Sequence, residues 1–267
     1  MRVLTPAIAS PTAVALTHEP SAAARRRMLA SRGEPLFIAG WLRALMIHFE
    51  VEPEALQRAV PFPLDLRNGH AYVSLVAFTM CDMRPQVGGK FLAWLFRPIA
   101  THDFLNVRTY VRQAGEPGIH FLAEWLTSRL AVKLGPLTFG LPYHLGRIAY
   151  RHDWAAGELH GEVMDARDGT RLAYGAEPRG HATFKPCEAG TLDEWLMERY
   201  TAFNAAGPCR RLFRVWHPPW PQCPVTVTVT GTTLLTRRWP WFRAARLLGG
   251  NYSPGFEAVW MGRPHRV

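Results

Sequence analysis

The sequence predicts an α+β protein with a largely antiparallel sheet, and three observations carry that prediction. Short segments with a strand period recur along the chain, separated by tight turn signals such as Asn68-Gly69, Gly115-Glu116-Pro117-Gly118 and Asp168-Gly169. Helix signatures are few and brief. No strand-helix-strand rhythm of the kind that builds a parallel sheet is present.

Taken in order, residues 1–35 are rich in Ala, Pro, Ser and Thr and poor in large apolar side chains, which reads as a disordered lead. Pro6 and Pro11 break its apolar run and Arg25-Arg26-Arg27 follows it, against the order of a secretory leader. Whether translation starts at Met1 or at Met28 stays open. Residues 36–267 read as one domain, since a chain of 267 residues that is 48% hydrophobic can bury one large core. Trp41 to Val51 has the β-branched and aromatic content of a strand, although Leu42-Arg43-Ala44-Leu45-Met46 also suits a helix. Pro53 at a first helical position, flanked by Glu52 and Glu54, opens a short helix that ends before Pro61. Ala71 to Met80 is a strand with two largely apolar faces, which requires cover on both sides.

His102 to Tyr150 is the central stretch. At a period of two, Leu105, Val107, Thr109 and Val111 share one face, and Asn106, Arg108, Tyr110 and Arg112 the other. An apolar strand from Ile119 to Trp125 follows, then a short helix capped by Ser128 and stopped by Gly135-Pro136. Leu145 to Tyr150, Leu159 to Ala166, Arg171 to Tyr174 and Gly180 to Lys185 read as a meander. Thr191 and Glu194 form a capping box for a helix through about Phe203, with Leu192, Trp195, Leu196 and Arg199 on one side. Leu212 to Trp216 and Val225 to Thr230 are strands, Trp241 to Leu248 suits a helix, and Tyr252 to Trp260 is a turn with a final strand.

The net charge of +10 invites a nucleic-acid partner, but the charge lacks the supporting pattern. Only Lys90, Lys133 and Lys185 are lysines, the arginines are scattered, and no helix-turn-helix, zinc-finger or RNP pattern accompanies them. Cys81, Cys187, Cys209 and Cys223 lack CxxC spacing and the histidines lack HxH or HExxH spacing, so no metal or cofactor is expected and the cysteines read as reduced cytoplasmic thiols. The uncharged run near Val215 to Thr236 is broken by Pro218, Pro219, Pro221 and Pro224, so a soluble protein with no membrane partner is expected. A homo-oligomer stays open.

Trp41 to Phe49, Val60-Pro61, Gly69 to Phe78, Asn106 to Val111, Gly140-Leu141-Pro142-Tyr143, Leu192 to Tyr200, His217-Pro218-Pro219-Trp220 and Tyr252 to Gly255 stand in an order that resembles the YqjF-like family of uncharacterised conserved bacterial proteins. That family is in turn similar to acetoacetate decarboxylase. The resemblance implies an antiparallel β-barrel or cone with a few short flanking helices around a mostly apolar pocket. The decarboxylase forms a Schiff base on a lysine made nucleophilic by a second lysine, because only a neutral amine attacks a carbonyl. The resemblance places that pair at about Tyr143-His144, where neither residue can form an imine. Lys133 as a relocated nucleophile competes with a solvated helix lysine.

The expected role is therefore binding of a small, mostly apolar ligand bearing a carbonyl or carboxylate, without Schiff-base chemistry. Arg108 offers a fork to a carboxylate, against a structural pairing with Asp103 or another acid; Tyr110 offers a hydroxyl, against a core aromatic. Asn106 joins them in the polar row. His48 on the first strand and His217 with Trp220 on a proline bend are further ligand-binding candidates, against packed core positions. Tyr143 and His144 are the catalytic candidates at a turn, with His144 as acid/base. An enzyme reading has Arg108 and Tyr110 holding an oxyanion while His144 moves a proton in a lyase, hydratase or isomerase step. A structural or interaction protein is the third reading.

Overall fold

The two apolar faces of the second strand find their cover in a sheet that closes on itself twice. The computed structural model describes residues 19–179, 183–207 and 209–267. Its strands are β1 (Phe37–Val51), β2 (Ala71–Pro85), β3 (His102–Gln113), β4 (Glu116–Leu126), β5 (Tyr143–Asp153), β6 (Glu158–Asp165), β7 (Arg171–Pro178), β8 (Thr201–Ala206), β9 (Cys209–Trp216), β10 (Cys223–Thr230), β11 (Arg246–Met261) and β12 (His265–Arg266). They pair in the order β12-β9-β8-β4-β3-β2-β1-β11-β10-β7-β6-β5, with further pairings β9–β11 and β4–β5. Two closed circuits of paired strands result, sharing β11, β1, β2, β3 and β4 as a common wall.

That wall explains the sequence pattern. One face of it, with Leu45, Ile47, Leu75, Leu105, Val107 and Trp125, packs against β6, β7 and β10. The other, with Met46, Val76, Phe78, Phe104 and Tyr110, packs against β9 and the short helices. Ala71 to Phe78 is buried at every position, because each face belongs to a different core.

The expectation of a largely antiparallel sheet needs correction: the sheet is mixed. β4 runs parallel to β5 and to β8. A helical crossover, α4 (Arg129–Phe139), returns the chain to the start of β5, and such a crossover joins parallel strands. The Ser128 hydroxyl accepts from the Ala131 amide at 3.2 Å, as its capping role requires. The helix does not stop at Gly135-Pro136 but runs on to Phe139. Gly135 is the position where the Tyr143 ring packs against the helix, and a Cβ there would fall 2.3 Å from that ring.

Three other expectations are corrected by packing. Residues 19–29, read as disordered, form α1, with Ala24 and Met28 buried against Tyr200 and Trp216; the small residues Ala22 and Ala24 supply a flat face that composition alone hides. Residues 1–18 of that lead lie outside the described residues. α2 (Pro53–Gln57) and α3 (Gly89–Ala100) precede α4. The Thr191 helix, α5 (Leu192–Met197), is capped as expected, with Thr191 Oγ1 accepting from the Glu194 amide at 3.3 Å, but ends well before Phe203. Glu198 is drawn inward to bond the Trp220 amide at 2.8 Å, and residues 201–206 join β9 instead. Trp241 to Leu248 divides into a 3-10 turn, Pro240–Ala244, and the start of β11. The Gly180 to Lys185 reading falls partly outside the described residues.

The predicted turn at Ser253-Pro254-Gly255 is a bend inside β11, not a reversal. Gly255 has φ +94 and lies against β1, where a Cβ would meet the Trp41 carbonyl oxygen at 1.9 Å. Backbone cannot yield as a side-chain tip can. Gly255→Ala is expected to cost about 2 kcal/mol or more, read from the shift of the urea midpoint at unchanged slope.

Candidate functional site

The even-numbered face of β3 opens on a cavity of about 400 Å³. Phe78, Phe104, Phe121 and Phe213 line it from the strands, and Phe96, Ile99, Leu134 and Phe139 line it from α3 and α4. Into this apolar space a small polar set projects. Asn106 and Arg108 come from β3, and Glu124 stands directly opposite Asn106 on β4. Tyr143 lies next to Glu124 across the parallel β4–β5 pair. His102 stands at the entrance of β3 against the Phe104 ring, centroids 4.7 Å apart.

These groups are buried without full hydrogen bonding inside the protein. Asn106 Oδ1, Arg108 Nε, Glu124 Oε2, Trp220 Nε1 and both ring nitrogens of His102 have no protein partner. Such atoms cost about 1–3 kcal/mol each when left unsatisfied, which makes their concentration on one cavity wall informative. Burial pushes the Glu124 carboxyl well above its usual range, which favours its protonated, donating form. Burial first, and then the neighbouring Glu124, raises the Tyr143 phenol as well. His102 is held down to about 4 by burial, against the pull of Asp103, and is neutral.

Arg108 is fixed from behind. Its Nη2 donates to the Leu196 carbonyl at 3.1 Å, the same carbonyl that accepts the Tyr110 hydroxyl at 2.9 Å. Asp103, offered from sequence as a partner for Arg108, instead accepts from the Thr79 hydroxyl at 2.7 Å. Glu198, behind the Trp220 wall, is raised to about 7 by burial, opposed by its bonds from the Tyr200 hydroxyl and Trp220 amide.

Of the residues expected at the site, Asn106, Arg108, Tyr143, His217 and Trp220 line the cavity. His217 stacks on Phe256 with centroids 5.4 Å apart. Three do not line it. Tyr110 lies on the right face but is covered by α5, its hydroxyl between the Leu196 carbonyl and Ser74. His48 is buried between Ser74 Oγ at 2.8 Å and Asn251 Oδ1 at 3.1 Å. His144 points away from the cavity, because neighbours on a strand face opposite sides: it stacks on Trp125 at 5.4 Å and its Nε2 lies 2.7 Å from Arg238 Nη2. Lys133 is exposed on α4 and lines no part of the cavity.

Glu124 and His102 were missed by sequence reading. The signal for Glu124 was present, as a lone acid inside the apolar run Ile119 to Trp125. No group of three or more His, Cys, Asp or Glu converges as a metal site among the described residues.

Residues 39–241 match the family model DUF2071, described as an uncharacterized conserved protein. The uncharacterized protein YqjF of Bacillus subtilis is 30% identical over 188 residues, covering 67% of this chain and 72% of that one. Among solved structures, an acetoacetate decarboxylase-like enzyme from Sphingomonas wittichii superposes with a TM-score of 0.58 at 16% identity, covering 88% of this chain and 93% of its own. Acetoacetate decarboxylase of Legionella pneumophila gives 0.59 at 13%, covering 86% of each chain. The enduracididine biosynthesis enzyme MppR, complexed with pyruvate, gives 0.58 at 15%, covering 86% of this chain and 89% of its own. At these identities the likeness is one of fold.

Proposed function

We propose, on the premise that the chain belongs to the DUF2071 family of uncharacterized conserved proteins, that its cavity binds a small, mostly apolar molecule carrying a carboxylate or carbonyl group, without imine chemistry. The observation that carries this reading is a polar row with unpartnered atoms, Asn106 Oδ1, Arg108 Nε and Glu124 Oε2, on the wall of an otherwise apolar cavity. In it the Arg108 guanidinium faces the ligand's carboxylate, the neutral Glu124 carboxyl donates to a carbonyl oxygen, and the aromatic walls take the alkyl part. The MppR structure with pyruvate supports a keto acid as the ligand class for this fold. The exposed position of Lys133 supports the exclusion of a Schiff base there.

A proton-transfer enzyme is a second reading, favoured by Glu124. An acid kept neutral by burial beside a cavity can exchange a proton with a bound enolisable ligand. His144 is not suited to that role, since it lies on the other side of β5. A purely structural protein finds no support in Arg108 and Tyr110, which are both buried.

Calorimetric titration with linear 2-oxo acids, from pyruvate to longer homologues, tests the reading. Each added methylene is expected to tighten binding about fourfold, from roughly 0.8 kcal/mol of burial. Arg108→Lys keeps the charge but loses the fork, and is expected to weaken binding about tenfold. Glu124→Gln, which still donates, is expected to hold affinity within about twofold, whereas Glu124→Leu loses about tenfold. Borohydride is expected to trap no adduct. Affinity insensitive to chain length and to Arg108→Lys would overturn the binding mode, and a reduced adduct on any lysine would overturn the exclusion of imine chemistry.

A further inference from the structure

The mouth of the cavity is framed by two helices whose outer faces are apolar and uncovered. On α3, Phe91, Trp94, Leu95 and Pro98 recur at i, i+3, i+4 and i+7 and point outward, with Phe91 71% and Trp94 65% exposed. On α4, Leu130, Leu134 and Leu137 form a matching stripe, with Leu137 75% exposed. Leu95, Leu130 and Leu134 are exposed and also line the cavity, so outer patch and interior are one continuous apolar surface. Soluble proteins seldom leave such a patch uncovered.

The charges carried by the two helices are of one sign. Arg97, Arg129 and Lys133 are exposed on these helices, neither helix contains an acid, and among the described residues no carboxylate pairs with them. The only acid between Thr79 and Thr101 is Asp82, whose amide bonds the Thr101 hydroxyl at 3.2 Å. A second copy docking face to face would bring these cations against their own counterparts, with no acid on either helix to neutralise them. An anionic lipid surface meets both demands, with headgroups for the cations and acyl chains for Trp94, Phe91 and the leucines.

We infer that the α3–α4 rim docks on the surface of an anionic bilayer, setting the cavity mouth at the boundary between headgroups and acyl chains. Helices of 12 and 11 residues suit a place in the interface plane. This departs from the expectation of no membrane partner, which rested on the lack of a spanning segment; a peripheral contact needs none. Uptake of the cavity's ligand from the bilayer rests on the ligand reading above, whereas docking does not.

Flotation of the full chain with vesicles tests it, comparing pure phosphatidylcholine with phosphatidylcholine containing about one-third phosphatidylglycerol. The chain is expected to float only with the anionic vesicles and to be released by salt. Arg97→Gln with Lys133→Gln is expected to lower the partition roughly 25-fold, at about fivefold per cation. Trp94→Ser with Leu137→Ser is expected to abolish flotation while far-ultraviolet dichroism and 2-oxo acid binding persist. Absence of flotation with anionic vesicles, or flotation that both pairs of substitutions leave unchanged, overturns the proposal. So does a chain that stays at the bottom of the gradient and sediments as a dimer which Trp94→Ser with Leu137→Ser dissociates. Retained 2-oxo acid binding in those cases leaves the cavity reading standing, and flotation without such binding separates them the other way.

Discussion

Lowering the pH from about 7 to about 4 is expected to remove of the order of 5 kcal/mol of folding stability, an amount comparable with the whole margin of many domains. Three buried histidines drive this. His48 is pulled down to about 3 by burial and by Arg108, His102 to about 4 by burial, and His152 to about 4 by burial, the last despite its 2.8 Å bond to the Arg43 carbonyl. Each binds its proton near 6.5 when unfolded, so between 6.5 and about 4 the unfolded chain holds more protons than the folded one. Stability then rises with pH across that window and is lost on acidification, by roughly 3 kcal/mol per histidine at pH 4. Glu198 works in the opposite sense: with a folded value of about 7, it takes up its proton on folding between 4.5 and 7 and returns roughly 3 kcal/mol as the pH falls. Glu124 acts in the same direction as Glu198. The net loss is read from urea midpoints at a series of pH values. His152→Gln is expected to flatten the profile below pH 6.5 by roughly 3 kcal/mol, and Glu198→Gln to steepen it by a similar amount. A stability flat from pH 7 to 4 in the wild-type chain contradicts the neutral burial of these imidazoles.

Local chemistry was legible in the sequence, and long-range pairing was not. The alternation of β3 is a property of the chain itself, so Asn106 and Arg108 could be assigned to one face before any partner strand was known. The caps at Ser128 and Thr191 are equally local, each decided within four residues. The parallel pairing of β4 with β5 and β8 is decided by which strands the crossover brings together, and no window of sequence contains that information. The same limit separates Tyr143 from His144. They are adjacent, and a strand must send one to each side; only the position of the β4 partner selects Tyr143 for the cavity. Tyr110 met a different limit, since alternation gave its face correctly but could not foresee that the Leu196 carbonyl would cover its hydroxyl. Glu124 was readable in principle: an acid in an apolar run either breaks the strand or stays within it with its carboxyl pushed up by burial, and the chain took the second course.

Replacing Asp65 by Ala is expected to cost about 3–5 kcal/mol, because it strands a buried guanidinium. Asp65 Oδ2 accepts from Arg199 Nη1 at 2.9 Å and Oδ1 from Arg112 Nε at 3.0 Å. Arg112 is half exposed and can turn to water when the carboxylate is removed. Arg199 cannot. Its guanidinium lies over the Trp195 ring at 4.1 Å and near the Tyr110 ring at 5.2 Å, its Nε donates to the Trp195 carbonyl at 2.7 Å, and its side chain is only 6% exposed. Burial already pulls Arg199 below its ordinary value, and Asp65 is the main group that opposes this. The pair therefore differs from the exposed ion pairs of this chain, such as Arg151 with Glu158, whose loss is expected to cost less than about 1 kcal/mol. Arg199→Met with Asp65→Ala is expected to recover part of the loss, since it removes the charge that the single substitution leaves behind. Urea midpoints of the two single variants and the double variant give the coupling directly. Because Arg199 also stands on the cavity wall, with Nη2 unpartnered, Asp65→Ala is expected to change the affinity of 2-oxo acids as well, which a merely structural ion pair remote from the cavity would not do. A cost below about 1 kcal/mol for Asp65→Ala, with ligand affinity unchanged, would mean that Arg199 reaches solvent by a route the packing of Trp195 and Tyr110 closes.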